Sequence, residues 1–374
     1  MFRPTLQSKL WLGAMAIAFI ALFYWAETSR VTIKADHFDQ KVKSAEIMNS
    51  ALKTLQDYRL PGGMQSAGSE KDPLTYTMLG EKDSPITTDE GRIQDKITVL
   101  NPNFSAVVVD LMSKAGLHKN DTIAVMMTGS MPGANIAVYS AAKALGVIPI
   151  SITSVGSSWW GANSPDFTWL DMERVLYDAG VFDYRSVAAS MGGGDDEGGL
   201  RLSEVGKDLI YQAVTRNEVT LIHEGSLTKN VEGRVKIFEQ KNPLDRYKAV
   251  INVGGGIAAI GHRANASLIP EGFSQRLPSV NYPNVGVLHS FSNMNVPIIQ
   301  LYDVDKLAIA YDLPRGQIPL PKTGTGLVFE HQRYNLAIAW TVLIIMLVIL
   351  GVVKFFDRKQ FQWREENEDP DTLI

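Results

Sequence analysis

The sequence predicts an open, mostly parallel, Rossmann-like α/β sheet with helices on both faces, flanked by two transmembrane helices. Three observations carry this expectation. Uncharged apolar runs lie near both ends. Between them, short β-branched runs alternate with helix-period segments. Turns rich in glycine follow those short runs.

The first apolar run, Leu10 to Trp25, reaches roughly 24 Å as a helix, against a bilayer core of about 30 Å. Trp11, Tyr24 and Trp25 can extend it at the interfaces. Phe23-Tyr24-Trp25-Ala26-Glu27 puts large aromatics where signal peptidase needs small residues, so the segment is expected to stay as an anchor. The second run, Leu336 to Val353, is uncharged, its stretch Val342 to Leu350 is apolar on every face, and Lys354 can snorkel at its end. Arg3 and Lys9 precede the first run, and Lys354, Arg358, Lys359 and Arg364 follow the second. The inner flanks hold Arg30, Lys34 and Arg333. By the positive-inside rule both tails are expected in the cytoplasm. The expected division is 1–9 cytoplasmic, 10–27 transmembrane, 28–335 an extracytoplasmic α/β domain, 336–356 transmembrane, and 357–374 an acidic cytoplasmic tail whose end, Glu365 to Asp371, reads as disordered.

Within the middle, residues 36–59 read as a juxtamembrane helix. Phe38, Val42, Ala45, Met48, Leu52 and Leu55 recur at steps of three and four, a stripe expected to pack on its own domain. Pro61 to Ser69 reads as a loop. Asn101-Pro102-Asn103 opens a helix that Gly116 closes. Thr122 to Met127 is a strand, Gly129 to Asn135 a tight turn, Ile136 to Leu145 a helix, and Val147 to Thr153 the next strand, a complete βαβ unit. A helix follows over Asp166 to Asp178. Met191 to Gly199 reads as a mobile glycine-rich acidic loop. Helix Ser203 to Arg216, strand Val219 to Ile222, helix Thr228 to Gln240, strand Ala249 to Val253, strand Val296 to Leu301 and helix Val304 to Tyr311 complete the alternation.

Composition excludes several functions. Among 374 residues the formal net charge is −4 and no basic stripe occurs, which argues against nucleic acid. There is no cysteine, so disulfides, thiolate metal sites and cysteine nucleophiles are ruled out. No Gly-x-x-x-x-Gly-Lys-[Ser/Thr], His-Glu-x-x-His or EF-hand spacing occurs, so no P-loop, metal or cofactor is expected. Gly254 to Gly261 lacks the dinucleotide fingerprint.

In such a sheet the ligand crevice lies beyond the carboxyl ends of the strands. Those ends supply the candidate ligand-binding residues Gly129, Gly133, Ser154, Ser157, Ser158, Trp159, Trp160, Asn163, Glu224, Gly254, Gly255 and Gly256. Glycine-rich loops expose backbone N–H groups and helix N-termini add positive potential, which suits a carboxylate or phosphate. The same residue types also make ordinary tight turns. Trp159-Trp160 can line a groove, touch a membrane surface or plug the core. Ser130 and His223 are the candidate catalytic pair, Ser130 standing on a strand–turn–helix as a serine nucleophile requires. The turn is not Gly-x-Ser-x-Gly, and a serine there can equally cap the next helix. His262 and His289 are alternative bases, with Glu224 or Asp303 as orienting acids.

The segments Ser151 to Arg174 (SITSVGSSWWGANSPDFTWLDMER), Thr128 to Asn135 (TGSMPGAN) and Ile251 to Gly256 (INVGGG) resemble the poly-γ-glutamate system protein family, sometimes called PgsW, along nearly the whole chain. The resemblance implies a bacterial cytoplasmic-membrane protein that helps to make or export this acidic capsule polymer beside other membrane proteins of its synthesis. It supplies no catalytic residues. An outward domain without a P-loop does not suit ATP-driven ligation. Two roles remain open: an accessory protein that binds the polymer, and an extracytoplasmic serine- or histidine-dependent hydrolase or amide-bond transferase acting on it.

Overall fold

The structure is a computed structural model that describes residues 9–60, 78–193, 196, 199 and 201–367. The expected loop at Pro61 to Ser69 and part of the acidic loop at Met191 to Gly199 lie outside them. The chain divides into two compact units, Met1–Lys34 with Glu330–Ile374, and Ala35–Phe329.

In the first unit, helix Lys9–Thr28 leads into strand Arg30–Lys34, which pairs antiparallel with strand Glu330–Tyr334 before helix Leu336–Asn367. Arg30 is opposite Tyr334, and Lys34 opposite Glu330. The Tyr334 hydroxyl donates to Glu27 Oε2 at 2.9 Å, and the Arg30 guanidinium lies 5.0 Å from the Tyr334 ring centroid. Leu336–Phe355 is long and apolar enough to cross a membrane, with a mean hydropathy of 3.0 and only 6% of it buried. The apolar stretch of the first helix, Leu12–Thr28, is shorter, so one helix among the described residues meets that length, where the sequence suggested two. The last helix continues to Asn367 through a stretch rich in Arg, Lys, Gln and Glu, all good helix formers, and so takes in Glu365, Glu366 and Asn367 of the end expected to be disordered; the rest of that end lies outside the described residues.

The second unit holds a seven-stranded sheet, labelled here β1 Thr122–Thr128, β2 Ile148–Ser154, β3 Ala188–Ser190, β4 Thr220–Ile222, β5 Ala249–Val253, β6 Gly272–Ser274 and β7 Ile298–Leu301. Its order is β6-β7-β5-β1-β2-β3-β4, parallel except for β6, which pairs antiparallel with β7 at the edge. The helices of this unit that matter below are α1 Phe38–Arg59, α2 Ile93–Leu100, α3 Phe104–Lys114, α4 Pro132–Leu145, α5 Trp169–Asp178, α6 Glu204–Arg216, α7 Leu227–Lys241 and α8 Val287–Asn293.

Side chains alternate across a strand, and the core follows that period. Ile123, Val125 and Met127 join Ile251, Val253 and Ile299 in one cluster beneath α1, α3 and α4. Ala124, Met126, Val250 and Ile298 join Phe238 of α7 and Phe291 of α8 on the other face. The stripe of α1 packs on its own unit, with Met48, Leu52 and Leu55 fully buried. Lys41 of the same helix is also buried and donates to Asp110 Oδ1 of α3 at 2.8 Å.

Three sequence expectations need correction. Strand β3 was not foreseen, because Ala-Ala-Ser is too short and too weak in β propensity to announce itself. It lies between β2 and β4 in the sheet. The turn after β1 is shorter than expected, since α4 starts at Pro132, whose fixed φ suits the first helical position. Helix α2 was also missed, and it supplies two residues, Asp95 and Lys96, of the cleft described next.

Candidate functional site

From β1 the chain builds outward through β2, β3 and β4, then crosses to the other side of β1 for β5 and β7. The winding reverses between β1 and β5. Loops leaving these neighbours diverge to opposite faces there and leave a crevice at their carboxyl ends. A cavity of about 600 Å³ lies at this point. Thr128, Ser130 and Met131 after β1, Ser154, Gly156 and Ser158 after β2, and Gly254, Gly255 and Gly256 after β5 line it. Thr128, Ser154 and Ser190 are in register, so these strand ends form one edge.

Lys96 of α2 enters this lining and is 3% exposed. Its Nζ donates to the Ser130 carbonyl oxygen, lies 2.8 Å from Ser158 Oγ and 3.7 Å from Met131 Sδ. No carboxylate pairs with it among the described residues. Burial pushes its pKa down to about 8, with Asp95 partly opposing that shift. Ser130 Oγ accepts from the Ser158 backbone N–H at 2.9 Å, which ties the loops after β1 and β2 together.

Asp196 supplies another part of the lining and is 4% exposed. Its Oδ1 accepts from Ser190 Oγ at 3.0 Å and from the Gly192 N–H at 3.1 Å. Its Oδ2 pairs with the fully buried Arg234 of α7, whose Nη2 also donates to Ser190 Oγ at 2.6 Å. The stretch expected to be mobile therefore contains a buried, hydrogen-bonded anchor.

The lining carries both signs. Asp89, Glu90, Asp95, Asp196 and Asp303 stand with Arg92, Lys96, Arg201 and Arg263. Arg92 pairs with Asp95 and Asp305, and Arg263 with Asp89. Arg201 is exposed and has no acidic partner among the described residues. The backbone N–H groups of Ser130, Gly255 and Gly256 have no partner among the described residues. The Thr128 hydroxyl, sealed beneath Gly254, has none either. Behind Tyr302, which lines the cleft, Glu271 accepts from the Tyr302 N–H at 2.6 Å, and burial pushes its carboxyl up to about 7.

Of the residues singled out in the sequence, Ser130, Ser154, Ser158, Gly254, Gly255 and Gly256 line this cleft. Ser157 lies buried just behind it, donating to the Gly129 carbonyl at 3.0 Å. Gly129 is a close approach, since a Cβ there would stand 2.4 Å from the Val155 oxygen. Gly133 packs α4 on α2, where a Cβ would meet the Val99 oxygen at 2.6 Å. Asn163 is a structural clamp, its amide bonding both backbone groups of Glu81 at 2.8 Å. Trp160 packs against the core, while the Lys82 ammonium sits 5.3 Å from a Trp159 ring centroid.

His223 and Glu224 do not line the cleft. They follow β4 at the outer edge, with β2 and β3 between them and β1, and His223 is exposed. His262 and His289 are not in the lining either. Sequence reasoning missed Lys96, Asp196 and Arg234. A lysine in the buried face of a short helix is a legible signal only once α2 is recognised.

Among the described residues no group of three His, Asp or Glu side chains could hold a metal ion. Fold and cleft together define a doubly wound α/β protein with a polar switch-point cleft. Comparisons with protein-family models, with curated proteins and with solved structures return no match.

Proposed function

We propose that this chain is a membrane-anchored accessory protein of a bacterial poly-γ-glutamate system that holds the acidic polymer in the switch-point cleft, outside the cytoplasmic membrane. One observation carries the reading. Lys96, Arg201, Ser130, Gly255 and Gly256 line one cavity at the carboxyl edge of the sheet, and the backbone N–H groups of the last three have no partner among the described residues. Each polymer unit offers a carboxylate for such donors and an amide that both donates and accepts. The acidic residues of the lining give its amide N–H groups acceptors. The sequence resemblance supports the same reading, and the other membrane proteins of that system are the partners it implies.

A two-pass anchor, with both tails cytoplasmic, belongs to the same proposal. Strands Arg30–Lys34 and Glu330–Tyr334 pair directly beside the two terminal helices, which favours both helices leaving the membrane on one side. The basic residues outside the two apolar runs favour cytoplasmic tails. Reporter fusions after Trp25 and near Glu330 should read outside, and a fusion at the C-terminus should read cytoplasmic. An outside C-terminus ends the two-pass reading.

Polymer binding is tested with the full chain in detergent at low salt, comparing native protein with Gly255→Asp. The new carboxylate would face the same N–H donors, and exposed Tyr302 can turn aside for it. Binding should fall at least tenfold. Native protein that does not retain the polymer, or a variant that binds it equally well, refutes the reading.

A further inference from the structure

We infer that Ser158 and Lys96 form a nucleophile–base pair for acyl transfer, acting on an amide or ester carbonyl held in the switch-point cleft. The pair stands on geometry independent of any particular ligand. That the carbonyl belongs to a γ-linked polymer amide rests on the function proposed above.

Ser158 Oγ lies 2.8 Å from Lys96 Nζ, both side chains line the cleft, and no histidine does. A serine hydroxyl needs a base within this reach to lose its proton as it attacks. Ser130 is in a different position. Lys96 touches the Ser130 carbonyl oxygen, while Ser130 Oγ accepts from the Ser158 N–H. Ser130 is therefore a positioning residue, and Ser158 is the hydroxyl with a base.

The environment of Lys96 distinguishes it from a structural lysine. Lys41 is equally buried, and it donates to Asp110 at 2.8 Å. The buried cation of Arg234 is neutralised by Asp196. Lys96 touches a carbonyl, a hydroxyl and a thioether, and no carboxylate among the described residues forms an ion pair with it. A neutral amine suits those neighbours, donating to the Ser130 carbonyl while its lone pair accepts from Ser158. Burial lowers its pKa to about 8, so a usable fraction is unprotonated near neutrality.

The step balances without a cofactor. Ser158 Oγ attacks the carbonyl carbon and its proton passes to Lys96 Nζ. Ser130, Gly255 and Gly256 line the cleft with backbone N–H groups that have no partner among the described residues, and these are the donors assigned to the developing oxyanion. The tetrahedral species collapses, the C–N bond breaks, and the amine leaves with the proton from Lys96. Water then attacks the acyl-serine and gives its proton to Lys96. The C–Oγ bond breaks, Ser158 regains that proton, and a carboxylic acid is released.

The full chain in detergent is treated with a fluorophosphonate, and the modified residue is located by mass analysis. Ser158 should be phosphonylated, at a rate that rises with pH through a midpoint near 8. Lys96→Met should slow labelling at least a hundredfold, and Lys96→Arg should not restore it, because a guanidinium cannot act as the base. Ser130→Ala should slow it less, with the same midpoint. The pH profile of the native protein needs no variant to fold. Absence of an adduct, an adduct on Ser130 instead, or a rate with no titration below pH 9.5 overturns the pair. If Ser158 is labelled but polymer chain length never falls, the pair stands and the polymer is not its substrate. If polymer is retained without Ser158 labelling, the binding reading stands and the pair does not.

Discussion

Two parts of the same cleft treat a buried cation in opposite ways. On the Asp196 part, Arg234 is fully buried and answered by a carboxylate, the Ser190 hydroxyl and two oxygens of Asn230. On the Ser158 part, Lys96 is almost as buried, its hydrogen-bond partners are neutral, and no carboxylate among the described residues forms an ion pair with it, Asp95 acting on it only from a distance. The two cations come from helices whose core residues pack on opposite faces of the sheet, Phe238 beside Arg234 and Ile97 beside Lys96. Removing a charge from water costs several kcal/mol unless it is paired. Arg234 recovers that cost locally and fixes the loop after β3. Lys96 does not, and it relieves the cost by giving up its proton more readily. Full pairing marks a structural charge, whereas an unpaired buried charge in a cleft marks one that can change state.

The largest expected effect tests the structural side. Asp196→Ala leaves Arg234 buried and unpaired and should cost about 3–5 kcal/mol in denaturant unfolding of the full chain. A loss under about 1 kcal/mol would erase the contrast.

Next comes Glu271, a second poorly compensated group beside the cleft. Its folded pKa of about 7 lies above its ordinary 4.5, so the folded state holds its proton more tightly. Its contribution to stability is complete below about pH 4.5 and is lost as pH rises through 7, up to about 3 kcal/mol. Glu271→Gln should flatten stability across that window. An unchanged slope would remove Glu271 from the account.

A smaller effect tests the loops that hold the pair in place. Gly129→Ala would press a Cβ against the Val155 oxygen. Relief requires the loops after β1 and β2 to separate, at about 1–3 kcal/mol. Ser158 labelling should fall with it. The smallest shift is expected for Lys96→Met, within about 1 kcal/mol of native, because the loss of hydrogen bonds is offset by removal of an uncompensated buried amine. A loss as large as that of Asp196→Ala would make Lys96 a structural cation after all.

Much of the fold was legible because long, periodic segments announce themselves. The stripe of α1, strands β1, β2 and β5, and helices α6 and α7 all follow their apolar spacing. Strand β3 was not legible. Three small residues carry no periodicity, and the strand's place in the sheet is seen in the register of Ala188 with Ile152 and Thr220. That omission also misplaced His223, because a strand end is near the cleft only if its strand is near the switch point. Ser130, Ser158 and Gly254 to Gly256 could be read from turn chemistry beside strands β1, β2 and β5. Lys96 could not, since its helix precedes the alternating pattern and nothing local shows that its amine reaches loops 34 and 62 residues on. Glu173 and Asp171 stand two apart on α5 and serve separate structural roles. Glu173 is buried against the Tyr139 hydroxyl at 2.7 Å, while Asp171 caps α5 and pairs with Arg216.

The most direct test of the account is the titration of Lys96 itself. Trace acetylation of the native full chain across pH 6 to 11, with the modified lysines quantified by mass analysis, gives each amine its own midpoint. Lys96 should titrate near 8, well below the exposed lysines. A midpoint at 10 or above would mean that Lys96 stays charged where it is buried, and would contradict the distinction between the two parts of the cleft.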